Sequence, residues 1–205
     1  MSLRPQLVIF ARAPALGQGK RRLAREAGDL TALRFHRLNV ARLLRRLAGD
    51  PRWRTWLAVT PDRAVQRPAA LWPGPATVIP QGGGDLGTRL ARAMAQRPPG
   101  PVVPGPVVVI GSDVPDIRAR HIAAAFRALG RHDAVLGPAD DGGYWLVGLR
   151  RRPRFRPPFT GVRWGGPQAL ADTLANLRRQ GQSVALLETL PDVDTAADLR
   201  PDLWR

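Results

Sequence analysis

The sequence predicts a three-layer α/β/α sandwich built on a mostly parallel, mixed sheet. Three observations lead there. Short continuous apolar runs alternate with longer stretches whose apolar residues recur at helical spacing. The strongest run, Pro106 to Ile110 (PVVVI), is apolar on both faces, as strands sandwiched between helix layers are. The closely spaced strands on either side of Asp140 to Gly143 add one antiparallel element to an otherwise parallel order.

Leu7 to Phe10 reads as the first buried strand, followed by a Pro/Gly loop. Lys20 to Ala27 and Leu30 to Leu47 read as helices, the second with Leu33, Leu38, Leu43, Leu44 and Leu47 on one face. Trp53 to Val59 and Thr77 to Ile79 are strands. Leu86 to Ala95 is a helix with Asp85 as its N-cap. Arg97 to Pro106 reads as an irregular linker, and PVVVI follows it. A helix is expected over Asp116 to Leu129, then strands over Ala134 to Leu136 and Tyr144 to Leu149. Arg150 to Pro158 is basic and proline-rich, and is expected to form a solvated basic surface at the far end of its strand. A helix from Pro167 to Gln180 stops at Gly181, Ser183 to Leu187 is the last strand, and Asp194 to Leu199 forms a short terminal helix. Residues 1–205 read as one nucleotide-binding domain.

The chain has no cysteine, which excludes disulfides, zinc–thiolate sites and cysteine nucleophiles. No apolar run approaches the ~18 residues of a membrane span, and no signal-peptide pattern opens the sequence; a cytoplasmic protein is expected. The formal charge of +16 suggests a polyanionic partner. However, Lys20 is the only lysine among 32 basic residues, and a surface drifted toward Arg, Ala, Gly and Pro explains the charge as well. An arginine-rich nucleic-acid-binding protein is therefore a competing reading. It is disfavoured because Trp53, Trp56 and Trp72 fall on or beside predicted strands and not on stacking platforms. A lone lysine in such a chain marks a position where a compact ammonium serves and a planar fork does not.

Five motifs carry chemistry, and each has a plain structural reading. The loop from Phe10 to Leu23 (FARAPALGQGKRRL) places glycines and cations between a strand and a helix, suited either to phosphates or to a flexible turn. It lacks the GxxxxGK[ST] of a P-loop. Gln81 to Leu90 (QGGGDLGTRL) lets backbone pass a flat ligand with Gln81 reading amide edges, or is a capped glycine loop. In Ile110 to Pro115 (IGSDVP), Asp113 leaves a buried strand, placed to hold Mg²⁺ or Mn²⁺ or to form a turn. Gly137 to Trp145 (GPADDGGYW) contains a hairpin-turn signal. In Leu190 to Leu199 (LPDVDTAADL), Asp194 is either an N-cap or a carboxylate turned toward a metal. His36, His121 and His132 lack metal spacing and read as surface or helix residues.

Taken in order, these segments resemble bacterial glycosyltransferase-like proteins grouped as a domain of unknown function, some of them arsenosugar-biosynthesis glycosyltransferases. Their pattern is FxRxPxxGxxKTRL, QxxGDLGxRL, IGSDxPxL, GPxxDGGYxLIGL, WST and DxDTxxDL. The resemblance spans Phe10 to Leu199, with two departures: Arg21 stands for Thr of KTRL, and Gly165-Gly166 stand for Ser-Thr of WST. It implies a GT-A nucleotide-diphospho-sugar transferase fold, related to phospholactate and phosphoenolpyruvate guanylyltransferases.

It further implies a metal-dependent transferase acting on a nucleotide-activated substrate: a nucleotide-sugar glycosyltransferase, or alternatively a nucleotidyltransferase that releases pyrophosphate. Arg12, Gly17, Lys20, Arg22, Gln81, Gly82, Gly83 and Asp85 would bind the nucleotide. Asp113 and Asp194 would hold Mg²⁺ or Mn²⁺. Asp113, Asp141 and Asp194 would be catalytic, and Gly142, Gly143, Tyr144 and Trp164 would border a small-molecule acceptor. No specific nucleic-acid partner is expected.

Overall fold

The computed structural model describes residues 4–66, 72–95, 104–151 and 155–204. Its framework is a seven-stranded sheet made of β1 (Arg4–Arg12), β2 (Arg54–Thr60), β3 (Thr77–Pro80), β4 (Pro104–Ile110), β5 (Ala134–Pro138), β6 (Tyr144–Leu149) and β7 (Val184–Leu186). The strand order is β3-β2-β1-β4-β6-β5-β7. All neighbouring pairs are parallel except those of β6, which runs antiparallel to both β4 and β5. The expected mixed sheet is present, and its antiparallel strand is the one that follows the Asp140–Gly143 turn.

Alternate residues of the central strands serve opposite faces. Leu7, Ile9, Val108 and Ile110 join the core under α2 (Asp29–Leu47) and α4 (Ala119–Ala128). Val8, Phe10, Val107 and Val109 join the core under α3 (Leu86–Ala95) and α5 (Ala169–Arg179). A smaller cluster joins Leu23 of α1 (Arg21–Ala27) to Phe35, Val193 and Leu203, docking the C-terminal segment on the first two helices. Burying each such aliphatic or aromatic side chain contributes about 1.5–3 kcal/mol. Trp53, Trp56 and Trp72 are core residues, 2%, 6% and 5% exposed, so they offer no stacking platform.

Several expectations are corrected. The buried face of α2 uses Phe35, Val40, Leu43, Leu44 and Leu47, while Leu33 and Leu38 are only half-buried. The linker ends sooner than expected, because β4 begins at Pro104; residues 97–103 lie outside the described residues. Pro106 is tolerated in a central strand because the β1 register shifts between Arg4 and Gln6, and the β6 pairing begins only at Val107. The C-terminal helix is a 3₁₀ turn over Ala196–Asp198, followed by a second at Pro201–Trp204. The basic segment is only partly free in solvent: Arg156 is exposed, but Arg150, 37% exposed, pairs with Asp133, and Arg151 is half-buried and donates to Gly105 O (2.8 Å) and Met94 O (2.9 Å). Arg152 and Arg154 lie outside the described residues. Among the described residues no helix is long and apolar enough to cross a membrane.

Strand order reverses about β1 and β4: the chain leaves β1 toward β2 and β3, then returns through α3 to β4 on the other side. Crevices at the carboxyl ends of such strands are where open α/β sheets bind ligands.

Candidate active site

Lys20 is the pivot of that crevice. It sits just before α1 in the left-handed conformation, at φ 44°. Its Nζ lies 3.3 Å from Asp113 Oδ1 and 3.0 Å from Asp194 Oδ1, and donates to Val193 O. The Lys20 side chain is 7% exposed, the two carboxylates 52% and 37%. Burial alone would lower its pKa, but the carboxylates of Asp113 and Asp194 outweigh burial and raise it.

Helix α2 fixes the loop that carries Asp113. Asn39, fully buried, donates to Ser112 O at 2.7 Å, and Arg46 donates to Pro115 O at 2.8 Å. Val193 N donates to Asp113 O at 3.2 Å, joining the two acidic loops. The Asp194 carboxylate is not a helix cap. The cap is Thr195, whose reciprocal partner Asp198 accepts from the backbone N–H groups of Asp194 (3.0 Å) and Thr195 (2.7 Å). That frees the Asp194 side chain for Lys20 and for Arg22, 3.6 Å away.

Two cavities meet here. The first, of about 490 Å³, is lined by five cations: Arg12, Lys20, Arg21, Arg22 and Arg89. The second, of about 370 Å³, is lined by Asp113, Asp141, Asp192 and Asp194 and by the rings of Tyr144, Trp145 and Trp164. Leu86, Gly111, Asp113 and Asp194 line both. Both volumes fall within the range of small-molecule sites.

The wall of the first cavity contains Arg12, Lys20, Arg22 and Gln81, but not Gly17, Gly82, Gly83 or Asp85. Gln81 does not fit its expected role as a reader of amide edges. It is 3% exposed, its amide donates to Ala58 O (2.9 Å) and Ala11 O (3.2 Å), and its oxygen accepts from Arg89 Nη1 (2.9 Å). Gln81 thus ties the ends of β1 and β2 together and aims Arg89 at the cavity. Gly82 leaves room for Arg92, which donates to Gln81 O and Gly83 O, each at 2.9 Å. Asp85 caps α3 through Thr88 N–H at 2.8 Å, and hydrogen bonding by the Thr88 side chain, then by its backbone, lowers the Asp85 pKa.

In the second cavity Asp141, Gly143, Tyr144 and Trp164 lie in the wall as expected, and Gly142 does not. Gly142 instead closes the turn at φ 81°, where a Cβ would come within 2.4 Å of Pro167 O. The Asp141 carboxylate accepts from Gly143 N–H at 2.8 Å. Burial raises the pKa of the Tyr144 hydroxyl, so it stays neutral. Burial, then the Asp194 carboxylate, raises the pKa of Asp192, with Lys20 opposing.

Arg89, Arg21, His36 and Asp192 also line the cavities, beyond the residues the sequence motifs single out. Arg89 lies within QGGGDLGTRL, four residues after the helix cap, and Asp192 alternates with Asp194, so each has a readable sequence signal. His36, whose Nε2 lies 2.7 Å from Arg12 O, carried none.

Residues 43–166 match a bacterial family described as "Uncharacterized protein conserved in bacteria (DUF2064)". The chain belongs to the DUF2064 family. This DUF2064 chain is similar to a Desulfovibrio desulfuricans G20 structure assigned to the nucleotide-diphospho-sugar transferases: 32% identical, with a TM-score of 0.85, over 95% of this chain and 84% of that one. It is 32% identical to the 2-phospho-L-lactate guanylyltransferase of Methanopyrus kandleri over 55% of this chain and 58% of that protein. It is 36% identical to the 3-phospho-D-glycerate guanylyltransferase of Phenylobacterium zucineum over 40% of this chain and 35% of that protein. The match thus spans little more than half of one guanylyltransferase and about a third of the other. These relatives are transferases that use nucleotides, and the α/β fold is that of the nucleotide-diphospho-sugar transferases.

Asp113 and Asp194 converge on one point between the cavities, the Lys20 ammonium. Among the described residues no group of three or more His, Asp or Glu is gathered for a metal. Two carboxylates completed by phosphate oxygens is the arrangement Mg²⁺ takes with nucleotides, so this donor set fits a hard divalent cation.

Proposed function

We propose that this domain transfers a group from a nucleotide-activated donor to a second small molecule, and that the donor is a nucleotide sugar. The observation that carries the reading is the pair of cavities joined at Asp113 and Asp194, one walled by cations and the other by carboxylates and aromatic rings. The cationic cavity takes the nucleotide phosphates, to which Lys20, Arg12, Arg22 and Arg89 supply charge. Asp113 and Asp194 would hold Mg²⁺ or Mn²⁺, which when bound supplies charge stabilisation to the departing phosphate. The near-full-length likeness to the nucleotide-diphospho-sugar transferase structure supports sugar transfer.

Nucleotidyl transfer is the second reading. It is favoured by five cations in one cavity, suited to a triphosphate, and by the guanylyltransferase names of the shorter matches. The products separate the two. Incubation with donor, Mg²⁺ and acceptor should release nucleoside diphosphate, read by ion-exchange chromatography. Release of pyrophosphate from a nucleoside triphosphate would replace the first reading with the second.

A further inference from the structure

We propose that the acceptor is an uncharged, hydroxyl-bearing molecule with an apolar ring face, and that the second cavity rejects phosphorylated acids of the kind named for the guanylyltransferase relatives. This rests on the two-substrate reading above and adds the chemical class of the acceptor.

The charge of the wall is the first ground. Four carboxylates line the cavity, and among the described residues no lysine or arginine does. Lys20 reaches Asp113 and Asp194 from the donor side, and a divalent ion there would offset the same two groups. Asp141 and Asp192 remain. A phosphate or carboxylate on the acceptor would face them without the guanidinium fork or ammonium by which proteins hold such groups. In a recessed site that repulsion is weakly screened.

The rings are the second ground. Tyr144 and Trp164 meet edge to face, with centroids 6.2 Å apart at 74°, and Phe159 packs on Trp164 at 6.1 Å, so the aromatic wall is held in place. Flat apolar surface beside hydrogen-bond acceptors suits a ring whose face is apolar and whose edge carries hydroxyls. Gly165 and Gly166, next to Trp164, also line the cavity, and at Gly165 an added Cβ would meet nothing within 4 Å.

Reactivity removes the cationic option. A protonated amine would be drawn to the carboxylates but has no lone pair with which to attack. A hydroxyl has one. Its oxygen bonds to the donor sugar's anomeric carbon as the bond from that carbon to the nucleotide phosphate oxygen breaks. The nucleoside diphosphate leaves with the electron pair, and the hydroxyl proton passes to the Asp141 carboxylate.

The test uses the full chain with Mg²⁺ and UDP or GDP, whichever calorimetry shows to bind. Methyl β-D-glucopyranoside, its 6-phosphate and 3-phospho-D-glycerate are then titrated by saturation-transfer NMR. The neutral glycoside should bind at least tenfold more tightly than either anion. In the Asp141→Asn/Asp192→Asn double variant the gap should shrink at least threefold. Equal or tighter binding of an anion overturns the proposal, as does an unchanged gap in the variant. So does failure of the glycoside to bind when nucleotide is bound. If nucleotide itself does not bind in the first step, the donor reading fails and this inference falls with it.

Discussion

The ammonium of Lys20 and the carboxylate of Asp194, 174 residues apart in the chain, meet at 3.0 Å. That contact ties the loop after the first strand to the loop after the last, and Asp113 joins it from the centre of the sheet. One cation therefore sets the spacing of the two carboxylates at which the two cavities join.

Lys20→Arg should not be silent, even though the chain uses arginine almost everywhere else. The Lys20 side chain is 7% exposed and contacts three acceptors within a space shaped for a point charge. A planar guanidinium is wider and cannot re-form all three contacts. Loss of one of these internal charged contacts costs about 1.5–3 kcal/mol and displaces the two carboxylates, so the melting temperature should fall and nucleotide affinity, read by calorimetry, should fall with it. Unchanged affinity would reduce the lone lysine to an accident of composition.

Gln81→Leu should weaken both stability and binding. Removing the amide leaves the buried carbonyls of Ala11 and Ala58 with one partner fewer, and frees Arg89. Each unsatisfied group costs about 1–3 kcal/mol. A fall in melting temperature of about 2–4 °C per kcal/mol is expected for a chain of this size. Gln81→Glu, which keeps the acceptor for Arg89, should retain more nucleotide affinity than the leucine variant. Equal affinities would show that Arg89 needs no such support.

Gly142→Ala should loosen the wall of the second cavity. At φ 81° an alanine is strained, and its Cβ would come within 2.4 Å of the backbone oxygen of Pro167. The turn and the segment carrying Trp164 would move apart, costing roughly 1–3 kcal/mol. Thermal unfolding should show the loss; a melting temperature within 1 °C or so of the parent's would mean that the turn adapts freely.

Asp172 supplies a pH test. Its carboxylate accepts from Arg163 Nε (2.9 Å), Nη2 (2.8 Å) and backbone N–H (3.0 Å), beside Trp164. The side-chain bond to Arg163 lowers its pKa to about 2. A lowered carboxyl favours the folded state above its unfolded value of ~3.9, and that contribution disappears as pH falls toward about 2. Carbon-13 NMR should follow this titration and show it return to the ordinary range in Arg163→Ala. A normal value in the parent protein would remove the bridge from the account.

The strands were legible because burial on both faces demands unbroken apolar runs, and the acidic loops because they stand where those runs end. Pro104 to Pro106 misled because proline signals a break, and only the register shift in β1 makes room for it. The commitments of individual side chains were not legible. Nothing in QGGGDLGTRL says that Gln81 faces inward to two carbonyls while Arg89 faces the cavity; that depends on β1, β2 and β3 converging. Asn39 beneath Ser112 is a contact across 73 residues, invisible to local pattern.

The central claim is that nucleotide binds at the junction through a divalent ion held by Asp113. The most direct measurement is calorimetric titration of the parent protein and Asp113→Ala with UDP and GDP, each with and without Mg²⁺ or Mn²⁺. The parent should bind a nucleotide at least tenfold more tightly with the metal than without. The variant, still folded by circular dichroism, should lose that dependence. Metal-dependent affinity in Asp113→Ala equal to the parent's, or a parent that binds neither nucleotide under any of these conditions, would contradict the account.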